Sequence, residues 1–298
     1  MGAVTLSLAA AARAQDLGHK VPGTLGLYAG RVPEPGLYLA DQLAFYTATK
    51  VRDRSGQLLP VEGFDLDALA NGFGLSFTLQ AGATRFTAAV SAPLAHVSLS
   101  SDRPEASIDQ FGLADARVQP VGLGWRSSHL DLVTSYALYI PTTRFEPGGR
   151  GGGLGRGSFS HELSAGGTVF FDQARRWYLS ALASYELNHR KIGTDITRGD
   201  TVQIQGGAGV KLLRIFDLGV AGYALWQVRD DRGSELPAAL RGARDRVFGL
   251  GPEIGAAIAP IRTRIVLRYG HDFGVQSRPD GQILTLTVAF LAWQPDER

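Results

Sequence analysis

The chain contains 298 residues with 38 glycines, no cysteine and a formal net charge of +2. Without cysteine it cannot form a disulfide scaffold or a Cys-based zinc site. A charge so close to neutral, with no basic stripe, argues against nucleic acid as a partner. No stretch approaches the roughly 18 consecutive apolar residues that a transmembrane helix needs, so a soluble domain and a β-barrel remain as fold classes.

The first residues have the pattern of an export signal. Residues 4–12 form a short apolar, alanine-rich run, and residues 12–14 then supply an Ala-x-Ala cleavage site. This pattern predicts a signal peptide over residues 1–14 with cleavage before Gln15, although the usual basic start is missing. A short buried helix is the alternative interpretation.

From Gly36 onward apolar and polar residues alternate with a period of two, which is typical of strands with one apolar and one polar face. Ile204, for example, is flanked by Gln203 and Gln205. The predicted strands reach the roughly 9–11 residues that cross a membrane and exceed the roughly 5–6 of soluble strands. About twelve strands are predicted, near 37–52, 64–80, 84–99, 110–126, 129–141, 159–172, 175–190, 200–213, 216–230, 244–258, 261–274 and 281–291.

The predicted connections alternate between two lengths. Tight turns are predicted at 81–83, 127–128, 173–174, 214–215 and 259–260. Longer loops are predicted at 53–63, 100–109, 142–158, 191–199, 231–243 and 275–280. Short turns at one end and long loops at the other are typical of outer-membrane barrels. The sequence therefore predicts an all-β fold, an antiparallel up-and-down transmembrane β-barrel over residues 36–291, with both chain ends on the periplasmic side.

Aromatic residues gather beside the tight turns, as in the girdle of a membrane barrel. They are Phe77, Phe86, Trp125, Phe171, Trp177, Phe216 and Phe290. Ordinary aromatic enrichment in strands is the alternative explanation. The last strand alternates cleanly and ends at Phe290, and residues 292–298 are predicted to be a C-terminal tail.

Residues 15–35 form a segment rich in glycine and proline. Because Pro22, Pro33 and Pro35 lack the N–H that a strand donates to its neighbour, the segment cannot be a central strand. It is expected either to fold into the lumen as a hatch or to trail in the periplasm, and we favour the lumen.

Polar residues on the predicted inner faces are the candidate lumen and substrate-pathway residues. A lipid-facing Arg or Lys costs about 2–4 kcal/mol at the membrane midplane, so charged side chains are expected to face inward. These residues either form a mixed-charge constriction or fill a narrow barrel as a structural ion-pair network. The candidates are Asp115, Arg117, Gln119, Glu162, Glu186, Gln203, Gln205, Lys211, Glu253, Arg264 and Arg268.

Few motifs point to catalysis or metal binding. His96 and Ser98 are two residues apart and therefore share one face of a strand. Outer-membrane phospholipases and lipid A deacylases use a base beside a nucleophile in this way. An Asn, Asp or Glu beside His96 on the outer face would favour such an esterase; a girdle histidine and a serine near a loop are the alternative. The remaining histidines are scattered and predict no metal site.

The glycine run at 148–157 lacks the Gly-Lys-Ser/Thr ending of a phosphate loop and is expected to be an external loop.

Seven segments together resemble one family of outer-membrane proteins, the family of the MetA-pathway of phenol degradation. They include GHKVPGTLGLYAGRVPEPGLYLAD at 18–41, LADARVQPVGLGW at 113–125, SYALYIPTTRFEPG at 135–148 and SHELSAGGTVFFD at 160–172. SYELNHRKIGTDITRGD at 184–200, GYALWQVRDDRG at 222–233 and RDRVFGLGPEIG at 244–255 complete the set. The resemblance implies a barrel linked to uptake of aromatic or other hydrophobic compounds, and it supplies no catalytic residues.

The expected function is passive uptake of small hydrophobic or aromatic compounds through an outer-membrane channel, without a cofactor and without enzymatic activity. The expected partners are outer-membrane lipid, the barrel-assembly machinery and the transported solutes. A structural barrel without transport and, behind it, an esterase using His96 and Ser98 remain the alternatives. An open lumen would favour transport, and a plugged lumen a structural role.

Overall fold

The fold is seen in a computed structural model that describes residues 17–143 and 154–295. The predicted signal peptide, 1–14, lies outside the described residues, as does the part of the glycine run at 148–153. Among the described residues, no helix has the length and apolar character required to span a membrane.

In the described part of the chain thirteen strand segments form one antiparallel sheet that closes on itself. They are β1 (Gly36–Arg52), β2 (Asp65–Ala81), β3 (Thr84–Ser101), β4 (Ala106–Leu113), β5 (Ala116–Arg126), β6 (Leu130–Ile140), β7 (Ser160–Phe170), β8 (Trp177–Asn188), β9 (Thr201–Leu212), β10 (Phe216–Gln227), β11 (Arg246–Ile258), β12 (Thr263–Gln276) and β13 (Arg278–Trp293). Single turns of 3-10 helix lie at Gly26–Tyr28, Ala238–Leu240 and Ala259–Ile261.

The barrel has twelve strand positions because β4 and β5 occupy one position. Both segments pair with β3. β4 pairs with residues 94–101, the half of β3 nearer the long loops, and β5 pairs with residues 84–91, the half nearer the short turns. The break between them falls at Ala114 and Asp115, where Ala114 N–H donates to the Pro93 carbonyl at 2.8 Å. The predicted barrel is confirmed, and the break turns Asp115 into a buried residue that faces the lumen.

The alternation of the sequence becomes an alternation of faces. In β8, Tyr178 and Ser180 are buried in the lumen, whereas Trp177 and Leu179 are at least half exposed on the outer wall. The outer wall carries many such exposed apolar side chains, an arrangement that is favourable in contact with lipid and unfavourable in water.

Two polar residues interrupt the apolar outer wall. Asp41 and Asn71 occupy outward positions on the paired strands β1 and β2, between exposed apolar neighbours such as Leu43 and Phe73. The Oδ1 atoms of both side chains are buried without a hydrogen-bond partner. Neither residue is among the predicted lumen residues, and at this place the preference of charged side chains for the lumen does not hold.

The hairpin of β9 and β10 follows the predicted register. Leu212 pairs with Phe216 across the turn, where Leu213 and Arg214 have positive φ angles of 51° and 60°. Ile204 and Val220 are nearly half exposed on the outer wall. The prediction that this hairpin presents its apolar faces outward is confirmed.

The aromatic residues predicted to form a girdle all lie exposed on the outer wall beside the short turns. Their exposed fractions run from 36% for Phe77 to 67% for Phe171. Trp293 extends the group and packs near Phe77 with ring centroids 6.1 Å apart. The girdle therefore continues past Phe290, where the sequence predicted its end.

Several predicted boundaries are wrong, three of them at the ends of β3, β12 and β13. The loop predicted at 275–280 is a single residue, Ser277, because β12 and β13 both extend beyond their predicted ends. The loop predicted at 100–109 shortens to residues 102–105. The tail predicted from residue 292 begins later, since β13 continues to Trp293 and pairs there with Leu37.

Residues 17–35 lie inside the barrel and belong to none of its strands. At one end His19 contacts Ser160 and Glu186 near the long loops, and at the other Glu34 contacts Arg126 near a short turn. The segment thus runs along the whole lumen, and we call it the lumen segment.

Candidate functional site: a filled lumen and a gap in the wall

A buried histidine, His19, fixes the end of the lumen segment that lies near the long loops. His19 Nε2 lies 3.1 Å from Asp115 Oδ2 and His19 Nδ1 lies 3.4 Å from Glu186 Oε1, while its ring stacks on Tyr139. Burial alone would lower the pKa of His19, but the hydrogen bonds with Asp115 and Glu186 outweigh it and raise the net value. The imidazolium is therefore the form that this site favours.

Next along the segment, Lys20 enters an ion-pair network on the wall. Its Nζ lies 2.5 Å from Glu162 Oε2, and the other oxygen of Glu162 accepts from Arg117 at 2.9 Å. Tyr139 also donates to Glu162, and Arg117 donates to Gln119 at 3.2 Å. Glu162 is only 4% exposed, so these donors compensate the carboxylate for the water it has lost.

The middle of the lumen segment is fixed by its backbone. Leu27 N–H donates to Glu253 at 3.2 Å, and Glu253 also accepts from Arg268 at 3.1 Å. Arg268 in turn donates to the Thr24 carbonyl at 2.9 Å. A Cβ on Gly26 would lie 1.8 Å from Glu253 Oε2, so only glycine fits beside this ion pair.

Neighbouring wall residues complete this fastening. Leu25 N–H donates to Gln205 at 3.0 Å, and Ser180 donates to the Leu27 carbonyl at 2.9 Å. The Leu27 side chain is fully buried in a cluster with Phe170 and Tyr178. The segment is thus anchored by one apolar residue and by wall side chains that reach its backbone.

The carboxylate of Asp217, near the short turns, interacts with two tyrosines and two arginines. Asp217 is 1% exposed and accepts from Tyr28, from Tyr178 at 3.1 Å and from Arg264 at 3.1 Å. Arg31 lies 3.7 Å from the same carboxylate and 4.0 Å above the Tyr178 ring. At the short-turn end of the barrel Glu34 pairs with arginines of β3 and β5.

The wall itself has a gap between β12 and β13. The last residue pair of these strands is His271 with Gln282. Beyond it β12 continues only along β11 to Gln276, and β13 continues only along β1 to Arg278. The two strands therefore part towards the long-loop end and meet again only at Ser277.

Asp272 bridges this gap with its side chain. Its carboxylate accepts from Tyr223 at 2.5 Å and from Tyr46 at 3.0 Å. These residues lie on β12, β10 and β1, so side-chain hydrogen bonds across the lumen join strands where the ladder between β12 and β13 has ended.

A cavity of about 720 Å³ occupies the gap. Its lining combines the two faces of the wall, with Asp272 and Val275 buried inside and Phe273 half exposed outside. The lining also includes the charged residues Arg246 and Asp280. The cavity therefore lies between residues of the outer wall and residues of the barrel interior.

A family model described as "Putative MetA-pathway of phenol degradation" matches residues 48–288, which is most of the chain. The chain belongs to this family. The match includes every wall residue of the lumen network and all of the gap apart from the first residue of its lining, Thr47. The resemblance seen in the sequence is thereby confirmed.

Solved structures similar to this family member are outer-membrane barrels. An outer-membrane channel from Pseudomonas putida F1 is 14% identical, with 91% of this chain and 99% of that chain covered and a TM-score of 0.76. The β-domain of the Bordetella autotransporter BrkA is 13% identical over 87% of this chain and 100% of its own, with a TM-score of 0.52. The transport unit of the Escherichia coli autotransporter AIDA-I is 9% identical over 96% of each chain, with a TM-score of 0.53. No curated protein matches the sequence significantly.

In this member of the MetA-pathway family most of the predicted lumen residues form the walls around the lumen segment. Six of them form hydrogen bonds or ion pairs with the segment itself: Asp115, Glu162, Glu186, Gln205 and Glu253 accept from it, and Arg268 donates to its backbone. Arg117 and Gln119 act through Glu162, and Arg264 acts through Asp217 and stacks on Tyr28.

Two predicted lumen residues stand apart. Gln203 is 1% exposed, and its amide has no hydrogen-bond partner among the described residues. Lys211 lies opposite Asp217 in the β9–β10 ladder without a direct bond between their side chains in the described part of the chain. Their assignment to a substrate pathway remains a prediction.

Two central residues, Asp217 and Asp272, are not among the lumen residues predicted from the sequence. Asp217 follows a tight turn and reads as a turn residue, although its alternation with Leu218 and Val220 could have placed it inside. The partners of Asp272 lie 49 and 226 residues away, so no local pattern shows them.

The structure also joins two histidines that look scattered in the sequence. His161 Nε2 lies 2.8 Å from His189 Nε2, and His161 Nδ1 lies 2.7 Å from the Tyr136 hydroxyl. The described residues contain no group of three metal-ligating side chains.

Proposed function

We propose that this barrel is a bacterial outer-membrane channel for passive uptake of small hydrophobic or aromatic compounds. The family description links its members to phenol degradation. The similar Pseudomonas putida structure is that of an outer-membrane channel, and the similarity covers 91% of this chain. No step of this function requires a catalytic group or a cofactor.

The outer surface supports placement in a membrane. Leucine, valine and phenylalanine side chains project from the wall, and the aromatic girdle marks the boundary beside the short turns. A water-exposed surface of this composition would favour aggregation. Strand β13 ends in the exposed aromatic Trp293, a feature that the barrel-assembly machinery is proposed to recognise.

The gap between β12 and β13 is the observation that carries the proposal. A volume of about 720 Å³ lies within the range of about 300–1,000 Å³ that ligand sites occupy. Its outer rim includes Phe273, and its inner surface includes Val275. A small aromatic molecule that enters from the barrel interior would meet this inner surface before the lumen segment.

The lumen segment favours the alternative, a structural barrel without transport. Its charges are paired and its backbone is fastened, so the straight path through the lumen is closed in this conformation. Transport then requires either movement of the segment or a path through the gap. The two functions differ in whether solutes cross the membrane at all.

Uptake of a radiolabelled monocyclic aromatic hydrocarbon by cells with intact lipopolysaccharide tests the proposal. Cells that make the barrel are expected to take up the compound several-fold faster than cells with an empty vector. His271→Trp places a large side chain at the edge of the gap and is expected to abolish most of the gain.

Leu284→Trp is the matched control, because Leu284 is 45% exposed on the outer face of β13 and does not line the cavity. It is expected to leave uptake unchanged. Uptake no faster than in vector cells, with the barrel present in the outer membrane, would favour the structural role.

A further inference from the structure

A histidine, a serine and a carboxylate lie together on the outer wall, away from the lumen and the gap. His96 Nε2 is 3.1 Å from Asp109 Oδ1 across the β3–β4 hairpin. Ser98 pairs directly with Asp109 in the same hairpin and lies two residues from His96. Two residues so spaced share one face of a strand and lie about 6.5 Å apart, a separation that an imidazole side chain can span.

These side chains face outward. In β3 the alternate residues Val97 and Leu99 pack against a buried cluster inside the barrel, which leaves His96 and Ser98 on the outer face. The side chains of His96 and Asp109 are 45% and 74% exposed. The group is therefore open to a substrate from outside the barrel.

The group lies at the upper edge of the apolar wall. On the short-turn side of His96, the outward positions of β3 hold Phe86, Val90 and Leu94. On the long-loop side, the next outward positions are the serines Ser98 and Ser100. Phe111, on β4, is 65% exposed and lies edge-on to the His96 ring at 6.5 Å. An acyl chain that lies along the wall would meet Phe111 below and the polar group above.

We propose that Ser98, His96 and Asp109 form a serine-hydrolase site that cleaves carboxylic esters of long-chain acyl groups presented by the surrounding lipid. Asp109 holds His96 Nε2 and leaves Nδ1 as the base for the Ser98 hydroxyl. This activity is independent of transport, because none of the three residues lines the lumen network or the cavity.

The reaction needs only ester and water. Ser98 Oγ attacks the carbonyl carbon while its proton passes to His96, and the ester C–O bond breaks as His96 returns the proton to the departing alcohol. Water then attacks the acyl group on Ser98, with His96 again accepting and returning a proton. The products are the carboxylic acid, the alcohol and free Ser98.

The folded full-length barrel in detergent micelles is tested with p-nitrophenyl palmitate and with a fluorophosphonate probe. Release of p-nitrophenol and a probe adduct on Ser98, located by mass spectrometry, are expected. Ser98→Ala is expected to lose both. His96→Asn is expected to slow release by about 10²–10⁴-fold, the contribution of a general base, and Asp109→Asn by a smaller factor.

Ser100→Ala is the matched control, because Ser100 is the next outward serine on β3 and is exposed. It is expected to retain wild-type activity. Heat-modifiable migration on gels shows that each variant is folded. Hydrolysis by the wild type no faster than by folded Ser98→Ala, or an adduct elsewhere with none on Ser98, would overturn the proposal.

Discussion

The lumen and the wall gap differ in how buried polar groups of the wall find their hydrogen-bond partners. Both lie where buried polar groups of the wall need partners. In the lumen the chain supplies them itself, as Lys20 does for Glu162 and Leu27 N–H does for Glu253. In the gap the carboxylate of Asp272 accepts from two tyrosine hydroxyls, and about 720 Å³ of space remains beside it. We therefore expect the gap to admit a solute while these hydrogen bonds stay in place, whereas the lumen would open only when many contacts break together.

Removal of the lumen segment tests this comparison most strongly. Deletion of residues 17–35 leaves every strand in place, since the first begins at Gly36. Barrels of about eight strands are filled by their own side chains and those of about 16–18 carry wide channels, so an emptied barrel of twelve should conduct. Ion conductance in planar bilayers is expected to rise by about tenfold or more, while aromatic uptake stays within about twofold. Unchanged conductance would show that wall side chains alone close the lumen.

Substitutions on the two faces of β12 are expected to have the next largest effects, on assembly for the lipid face and on conductance for the lumen face. Leu267→Arg places a charge on the lipid-facing wall at a cost of about 2–4 kcal/mol and is expected to impair assembly, as measured by urea unfolding in vesicles. Arg268→Gln, one residue away in the lumen, removes the charge that holds Glu253 and the Thr24 carbonyl. It is expected to leave a folded barrel with altered conductance, as is Arg117→Gln. Equal loss of assembly without any change of conductance would favour a purely structural network.

The pH dependence of conductance probes the outer end of the lumen segment. The pKa of His19 is raised, so its folded-state value lies above the unfolded value of about 6.5. The stabilisation of the closed segment is therefore complete below about pH 6.5 and is lost as the pH rises through the raised pKa. Conductance is expected to increase over that range.

His19→Gln supplies the control for this titration. A neutral amide still fits between Asp115 and Glu186 but cannot carry the proton. The variant is expected to show little pH dependence between pH 6 and 9 or so. A pH response equal to that of the wild type would assign the titration to another group.

The smallest expected effect concerns the gap. Tyr46→Phe removes one of the two tyrosine hydrogen bonds to Asp272, worth about 1.5–3 kcal/mol for a charged acceptor. Unfolding should become easier by up to this amount, and aromatic uptake should change while ion conductance does not. Tyr185→Phe is the control, because its hydroxyl also donates to a carboxylate, that of Asp200 at 2.6 Å, and neither residue lines the cavity. A change of ion conductance in Tyr46→Phe would mean that the gap and the lumen form one path.

The strand pattern was visible in the sequence because it is local. An outward Leu179 beside an inward Ser180 follows from a period of two, and a shift of one residue would exchange lipid and lumen for the whole strand. The predicted lumen residues came from the same rule. The rule fails at Asp41, which has an outward position despite its charge.

The loop between β12 and β13 shows why boundaries were harder. Residues 275–280 contain serine and proline and are followed by Gly281, a composition that predicts a loop. In the structure β12 and β13 extend because each finds a partner on its other side, β11 and β1. The extension depends on neighbouring strands, which no window of sequence contains.

The sequence by itself therefore determined the barrel, its inner and outer faces and its girdle, because each depends on residues two positions apart or on composition, and the resemblance of seven segments indicated the family. Tertiary structure alone decided that residues 17–35 thread the lumen, that Asp272 bridges a gap and that Asp109 meets His96. His19 and Glu186, for example, are 167 residues apart. Such contacts form only once the sheet has closed, since closure fixes which distant side chains share one enclosed space.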